Sequence, residues 1–259
     1  MGSRSPRVGL VTSSFTTFSG LLAQALAGDG ARPLITWVGA GGARSELSVR
    51  TFENNVAKAA NLLQDEAGAA DGARVVLALP PHWQTAVWLG ACAVSGACAW
   101  LDGDAADPAV ELAVVGPASL ASTGAPLTLA TSLHPFGMPF AEPLPDGVLD
   151  AAVEVRAHGD RFVPYSPPSA TTPWLVDGDW EWTQEQALDA MRDLATGFGL
   201  PEAGRVLLRA TGPRTDYRTA GALVALPFVT TGSIVLLTDD SADPDAVAHS
   251  EHCDAALEL

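Results

Sequence analysis

Lysine is almost missing from this chain: Lys58 stands alone in 259 residues, against thirteen arginines. Any chemistry that needs a primary amine must use Lys58 or do without one. Its setting among Val56, Ala57 and Ala59 reads as a helix interior with a solvated stem. Positive charge is scarce altogether, since 14 Lys and Arg against 30 Asp and Glu leave a net charge of -16. Such a balance repels phosphate backbones and anionic lipid, so composition argues against nucleic acid and against a polybasic membrane anchor. Cysteine is scarce too, and Cys92, Cys98 and Cys253 are odd in number and lack any paired spacing. They read as buried thiols of a reducing compartment, which makes the cytoplasm the expected location. His249, His252 and Cys253 lie close together but lack a second ligand pair, so no metal site is expected there.

One apolar run, the nineteen uncharged residues 83–101, meets the length rule for a membrane span. Arg4 and Arg7 followed by Val8 to Leu26 imitate a signal peptide, but Thr12 to Gly20 carries too much Ser and Thr for its apolar core. No G-x-S-x-G elbow, G-x-G-x-x-G fingerprint, Walker loop or H-E-x-x-H stretch occurs. What remains, at 47% hydrophobic and 17% charged residues, is a globular chain with enough length for a large core.

The chain repeats itself. Glu46-Leu47-Ser48, a helical stretch, Gly72-Ala73-Arg74-Val75, an apolar stretch and Ser95-Gly96 lead to Asp107-Pro108. About 135 residues later Glu181-Trp182-Thr183, a helical stretch, Gly204-Arg205-Val206, an apolar stretch and Thr231-Gly232 lead to Asp243-Pro244. The repeat turns the apparent membrane span into a buried helix, turn and strand, with Gly96 and Gly232 marking the helix ends.

Local signals fill in the elements. Phe15, Phe18, Leu22 and Leu26 lie on one face of a helix over 15–28. Leu34–Val38 and Arg44–Leu47 form a hairpin about Gly39–Gly42, and Ser48 caps a helix running to Glu66. Val75–Leu79, a helix over 84–95 and a strand over 98–101 make a βαβ unit, after which Pro108 is expected to open another helix. Six prolines between Gly116 and Gly159 mark a connector with short strands. In the second copy Asp177-Gly178 turns a hairpin, Thr183 with Gln186 forms a capping box, and Leu188, Met191, Leu194 and Phe198 line the helix behind it. Strand 206–209, helix 219–230, strand 234–237, a helix from Pro244 and a terminal strand over 255–259 complete it. The expected fold is α/β: two related βαβ-type lobes with parallel sheets flanked by helices. The first lobe covers 1–115, the connector 116–159 and the second lobe 160–259. A strand at the end of the chain would leave a sheet edge open to a protein partner or a homodimer.

The hairpin, Glu46-Leu47-Ser48, Gly72-Ala73-Arg74-Val75, Leu79-Pro80 and Ser95-Gly96-Ala97 resemble the start of the AMP-forming adenylating enzymes, which include acyl-CoA synthetases, luciferases and nonribosomal peptide adenylation domains. The chain looks closer still to an actinobacterial family with faint similarity to those enzymes, through Leu34-Ile35-Thr36-Trp37, Asn61-Leu62-Leu63 and 82–88. The resemblance covers nearly all of this chain and about half of a full adenylating enzyme. It implies ATP or AMP, with Mg, as the cofactors, bound by a loop of the form Y-T-S-G-T-T-G-x-P-K. At that place stand Tyr165, Ser166, Pro167, Pro168, Ser169, Ala170, Thr171, Thr172 and Pro173. The nucleotide-binding candidates are therefore Tyr165, Ser166, Ser169, Thr171 and Thr172. Both glycines and the lysine of the motif are replaced, which removes the conformations and the charge such a loop uses on phosphate. The family's adenine- and Mg-binding segments and its mobile C-terminal domain, with its lysine, would lie beyond residue 259.

No catalytic residue stands out. Asp102, Asp104 and Asp107, and again Asp239, Asp240 and Asp243, read as solvated turn and helix-end charges, with metal ligation as the alternative. Trp83, Trp88 and Trp100 read as core, and Trp174, Trp180 and Trp182 as hairpin packing with ligand stacking as the alternative. The expectation is a protein unable to form acyl-adenylates alone, acting as a binding or protein-interaction module. The alternative is a retained nucleotide or acyl pocket whose activity another chain completes.

Overall fold

The computed structural model describes residues 15–66, 68, 72–122 and 124–259, so the leader-like stretch at Arg4 and Arg7 lies outside the described residues. In chain order come α1 (Phe18–Asp29), β1 (Pro33–Gly39), β2 (Ala43–Ser48), α2 (Val49–Glu66), β3 (Arg74–Ala78), α3 (Trp83–Ser95), β4 (Cys98–Trp100) and β5 (Val110–Val115). Next are β6 (Leu127–Ala130), β7 (Val148–Asp150) and the short α4 (Ala151–Glu154). The second copy supplies β8 (Pro173–Asp177), β9 (Trp180–Thr183), α5 (Gln184–Gly197), β10 (Arg205–Arg209), α6 (Tyr217–Val224), α7 (Leu226–Val229), β11 (Ser233–Leu237), α8 (Pro244–Ser250) and β12 (Ala255–Glu258).

Two sheets result, ordered β7-β6-β5-β3-β4-β8-β9 and β12-β10-β11-β1-β2. Every neighbouring pair is parallel except the two hairpins, β1 with β2 and β8 with β9. The parallel strands are buried along their centres, as apolar runs such as Ser233–Leu237 require. The repeat is real in topology, because β5-β3-β4-β8-β9 matches β12-β10-β11-β1-β2 strand for strand.

That match contains an exchange that linear boundaries cannot express. The first hairpin joins the second copy's strands, with Ile35 to Val38 of β1 in register with Ile234 to Leu237 of β11. The second hairpin joins the first copy, with Leu175 and Val176 of β8 beside Ala99 and Trp100 of β4. Lobes cut at 115 and 160 therefore do not coincide with the sheets. The stretch 116–159 also does more than connect, because β6 and β7 extend the seven-stranded sheet beyond β5.

Between the sheets lies α3, with 12 of its 13 residues buried. It touches β1 of one sheet and β3 and β4 of the other, which is why its sequence is apolar on all sides. Among the described residues no helix is long and apolar enough to cross a membrane. Gly90 lets α2 close in, since a Cβ there would meet Val56 Cγ2 at 2.9 Å. Gln184, fully buried at the start of α5, is a polar hub: its Oε1 accepts from Phe18 N–H (2.9 Å) and its Nε2 donates to the Ala93 carbonyl (2.6 Å). It ties α1, α3 and α5 together.

Several local expectations need correction. Pro108 opens no helix, because one residue separates it from β5; Asp107 Oδ1 accepts from Ala109 N–H and the chain turns straight into the strand. The helix over 219–230 is two helices, α6 and α7, broken at Ala225 where Pro227 cannot donate to the preceding turn. Phe198 does not line α5; it lies past the helix end and is exposed. Gly96 takes the left-handed conformation that closes α3 (φ 84°), but in the second copy Thr231 takes it (φ 55°). Gly232 is needed for closeness instead, since a Cβ there would overlap the Gly204 carbonyl oxygen.

Candidate functional site

The loop before β8 brings three of its five candidate residues together. Ser169 Oγ lies 3.2 Å from Thr171 Oγ1 and 3.3 Å from Thr172 Oγ1, Ser169 N–H donates to Thr172 Oγ1 (2.9 Å), and Thr172 N–H donates to the Ser169 carbonyl (3.1 Å). Thr172 is buried, so its hydroxyl serves the turn. Tyr165 and Ser166 stand apart from this cluster, both exposed. Tyr165 is anchored to α2, its N–H donating to Gln64 Oε1 (2.8 Å) and its hydroxyl to Asp65 Oδ1 (3.4 Å).

A phosphate bound here would need free N–H groups, and the N–H groups of Tyr165, Ser169 and Thr172 are already committed. Pro167 and Pro168 have none, and the first amides of α5 are taken: Gln184 N–H by the Thr172 carbonyl (3.0 Å), Glu185 N–H by the Ala170 carbonyl (3.0 Å) and Gln186 N–H by Thr183 Oγ1 (3.3 Å). The last of these completes the capping box, with Gln186 Oε1 accepting from Thr183 N–H (2.9 Å). Glu185 adds an acidic group in the same turn. These residues do not fit a nucleotide triphosphate. Beneath the loop is a cleft of about 300 Å³ lined by Leu22, Leu26, Val56, Phe162 and Pro168, with Glu53 at its edge. Burial pushes the Glu53 carboxyl above its ordinary value.

The remaining candidates resolve into structure. Trp174 is fully buried and donates to the Leu89 carbonyl (3.0 Å), whereas Trp180 and Trp182 pack on Tyr217 with centroids 6.1 and 4.9 Å apart. Asp102, Asp104 and Asp107 accept from Trp100 Nε1, Ala106 N–H and Ala109 N–H, and Asp239 and Asp243 hold turns through Ser241 and Asp245 N–H. Among the described residues no three His, Cys, Asp or Glu side chains converge as a metal would need. Burial pushes the Cys98 thiol up to about 12 and raises Cys92 further, so both are inert hydrophobes in the core.

A second and larger depression lies on the other face of α2. Glu53, Val56 and Ala57 face the cleft under the loop, while Thr51, Asn55, Lys58 and Ala59 line a groove of about 570 Å³. Trp83, Gln84, Val87 and Trp88 of α3, the segment 135–137, and Ala151 to Arg156 form its other walls. The wall at 135–137 is pinned, because the Pro135 carbonyl accepts from Trp83 Nε1 (3.1 Å) and from Ser45 Oγ. At the rim Arg44 donates to Glu251 (2.7 Å) and Glu46 (2.8 Å), and Arg205 donates to Glu251 (2.8 Å). Those contacts, the hydrogen bond from Arg44 foremost, hold the Glu251 carboxyl down at about 2. Sequence reasoning treated Lys58 as a solvated stem and passed over this groove. The usable signal was the spacing of Thr51, Asn55 and Lys58, which places three polar groups on one stripe of α2.

No family model matches the chain. Among solved structures, an acyl-CoA synthetase from Brucella canis superposes with a TM-score of 0.72 at 15% identity, covering 92% of this chain and 47% of that one. A long-chain-fatty-acid CoA ligase from Rhodopseudomonas palustris superposes at 0.69 and 17% identity, covering 94% of this chain and 63% of that one. The likeness is one of fold, and the chain spans about half to two thirds of those proteins. The sequence is 40% identical over 221 residues to a TIGR03089 family protein of Mycobacterium tuberculosis (strain ATCC 25618 / H37Rv), a match over 82% of this chain and 86% of that protein. With two residues in five shared across most of that relative, this chain belongs to the TIGR03089 family.

Proposed function

We propose that this protein uses the acyl-CoA synthetase fold for binding, and that its loop at 165–172 does not activate acyl groups with ATP. The observation that carries the reading is the state of that loop: two prolines replace donors, and the first three amides of α5 are already bonded to protein oxygens. Electrostatic stabilisation of developing charge is the largest single term in most catalysis, and here the loop supplies no lysine, while the N–H groups of Tyr165, Ser169 and Thr172 are bonded within the protein. Tyr165, Ser166, Ser169, Thr171 and Thr172 then act as a structural turn that joins α2 to α5.

Carboxylate-dependent exchange of pyrophosphate into ATP tests this reading, run beside thermal unfolding with Mg-ATP and with AMP. The expected result is no exchange and no shift. A nucleotide at about 100 times its dissociation constant would add about 2.7 kcal/mol and raise the midpoint several degrees. Exchange, or a shift abolished by replacing Thr171 and Thr172 with Ala, would overturn the proposal in favour of a retained nucleotide pocket. A shift with fatty acids alone that Leu26→Glu removes would instead place an acyl chain in the cleft under the loop.

A further inference from the structure

We infer that the groove between α2 and α3 is a binding site for an amphipathic organic anion, a carboxylate carried on an apolar body. This goes beyond the reading of the loop and does not depend on it.

Charge is the first argument. The chain carries more than two acids for every base, yet the groove reverses the ratio: Arg44, Lys58 and Arg156 line it against the single acid Glu46. Arg44 and Arg205 together neutralise Glu46 and Glu251 at the rim. Lys58 and Arg156 form no ion pair among the described residues, so two positive charges are left facing one depression. In a protein of net charge -16, acidic side chains are abundant enough to have covered both.

The lining supplies the second argument. Opposite the cations lie Trp83, Val87, Trp88 and Phe136. Both indole N–H groups are already engaged, Trp83 with the Pro135 carbonyl (3.1 Å) and Trp88 with Thr131 Oγ1 (3.2 Å), so the rings turn apolar surface to the groove. Phe136 is 76% exposed at the mouth, where the His134 ring is its aromatic neighbour, with centroids 5.9 Å apart. Gln84 is the one residue of α3 that is not fully buried, and its Oε1 is shielded from solvent without a hydrogen-bond partner among the described residues. That amide can turn either its oxygen or its N–H group toward a ligand. A volume of about 570 Å³ lies within the range of small-molecule sites, and one polar end with one apolar end fits a fatty or aromatic acid better than a sugar or a polyphosphate.

The test uses the full chain and the fluorescence of bound anilinonaphthalene sulfonate, displaced by octanoate, by octyl phosphate and by the uncharged octanamide. The expected result is displacement by octanoate that weakens with salt, and octanamide at least about tenfold weaker, the loss of one charge-assisted contact. Lys58→Gln and Arg156→Gln should each weaken octanoate about tenfold and leave octanamide unchanged. Both residues are solvent-accessible, so the variants should fold, and unchanged thermal midpoints would establish that. Equal displacement by acid and amide, octanoate affinity unaltered in both variants, or loss of displacement in Leu26→Glu alone would overturn the inference. Stronger displacement by octyl phosphate than by octanoate would overturn the assignment to carboxylates.

Discussion

His82 should make this protein acid-sensitive well above the pH at which carboxylates titrate. It caps α3 by accepting from Gln84 N–H at Nδ1 (3.2 Å), its ring stands edge-on to Trp37 with centroids 4.5 Å apart, and its Nε2 is buried without a hydrogen-bond partner among the described residues. Burial pushes its pKa from 6.5 down to about 3. The folded state thus keeps the ring neutral while the unfolded chain takes up a proton as pH falls below 6.5. The stabilisation is complete above that value and is lost progressively as pH falls towards 3. By pH 5 the loss relative to pH 7 is about 2 kcal/mol by linkage. At about 2–4 °C per kcal/mol for a chain of this size, the unfolding midpoint should fall by about 4–8 °C. His82→Asn keeps an acceptor at the cap and removes the titration, so its stability should be nearly flat between pH 7 and pH 5. Urea denaturation of both proteins at pH 7, 6 and 5 compares the slopes independently of any offset from the substitution. Parallel losses in the two proteins, or a His82 ring resonance that titrates near 6.5 in the folded state, would refute the reasoning.

Glu251→Gln should cost about 1–2 kcal/mol at pH 7, discounting for the partial exposure of the Arg44 partner. Because the carboxyl is held at about 2, this contribution is present above 4.5 and lost as pH falls from 4.5 towards 2, so wild type and variant should converge in urea titrations over that interval. Gln184→Leu should cost about 2–4 kcal/mol, since it strands the Phe18 N–H and the Ala93 carbonyl in the core. Chemical denaturation at neutral pH measures it, and a loss below about 0.5 kcal/mol would mean that the hub is dispensable.

The parts of the fold that could be read from residues were those with local causes. Asp177-Gly178 turned the hairpin, with Gly178 at φ 59°, and Thr183 with Gln186 formed the capping box. The α2 stripe also held, with Phe52, Val56, Ala59, Leu62 and Leu63 all buried. Pro108 misled because its preference for a helix start is real but the β-rich Val110–Val115 begins two residues later. Strand partners were beyond local reading: nothing in Leu34 to Val38 distinguishes β11, two hundred residues away, from the nearer β4. The loop at 165–172 was legible as a turn lacking glycine, but its internal bonding depends on α5 lying against it. Lys58 was conspicuous by rarity, yet its role depends on Arg156 and Phe136, which only the packing of 131–157 brings to the same groove.

The exchanged hairpins also constrain the order in which this protein can be made. A chain growing from its N-terminus presents β1 and β2 early, but β1 finds its neighbour β11 only after residue 237 has been synthesised. Until β8 emerges, the far side of β4 is likewise a row of unpaired backbone groups. Half-made chains therefore carry a homeless hairpin and an open strand edge at once, the combination that invites pairing with another copy. Each copy of the repeat completes the other's sheet, so the two halves must be present together before either has its full set of strands.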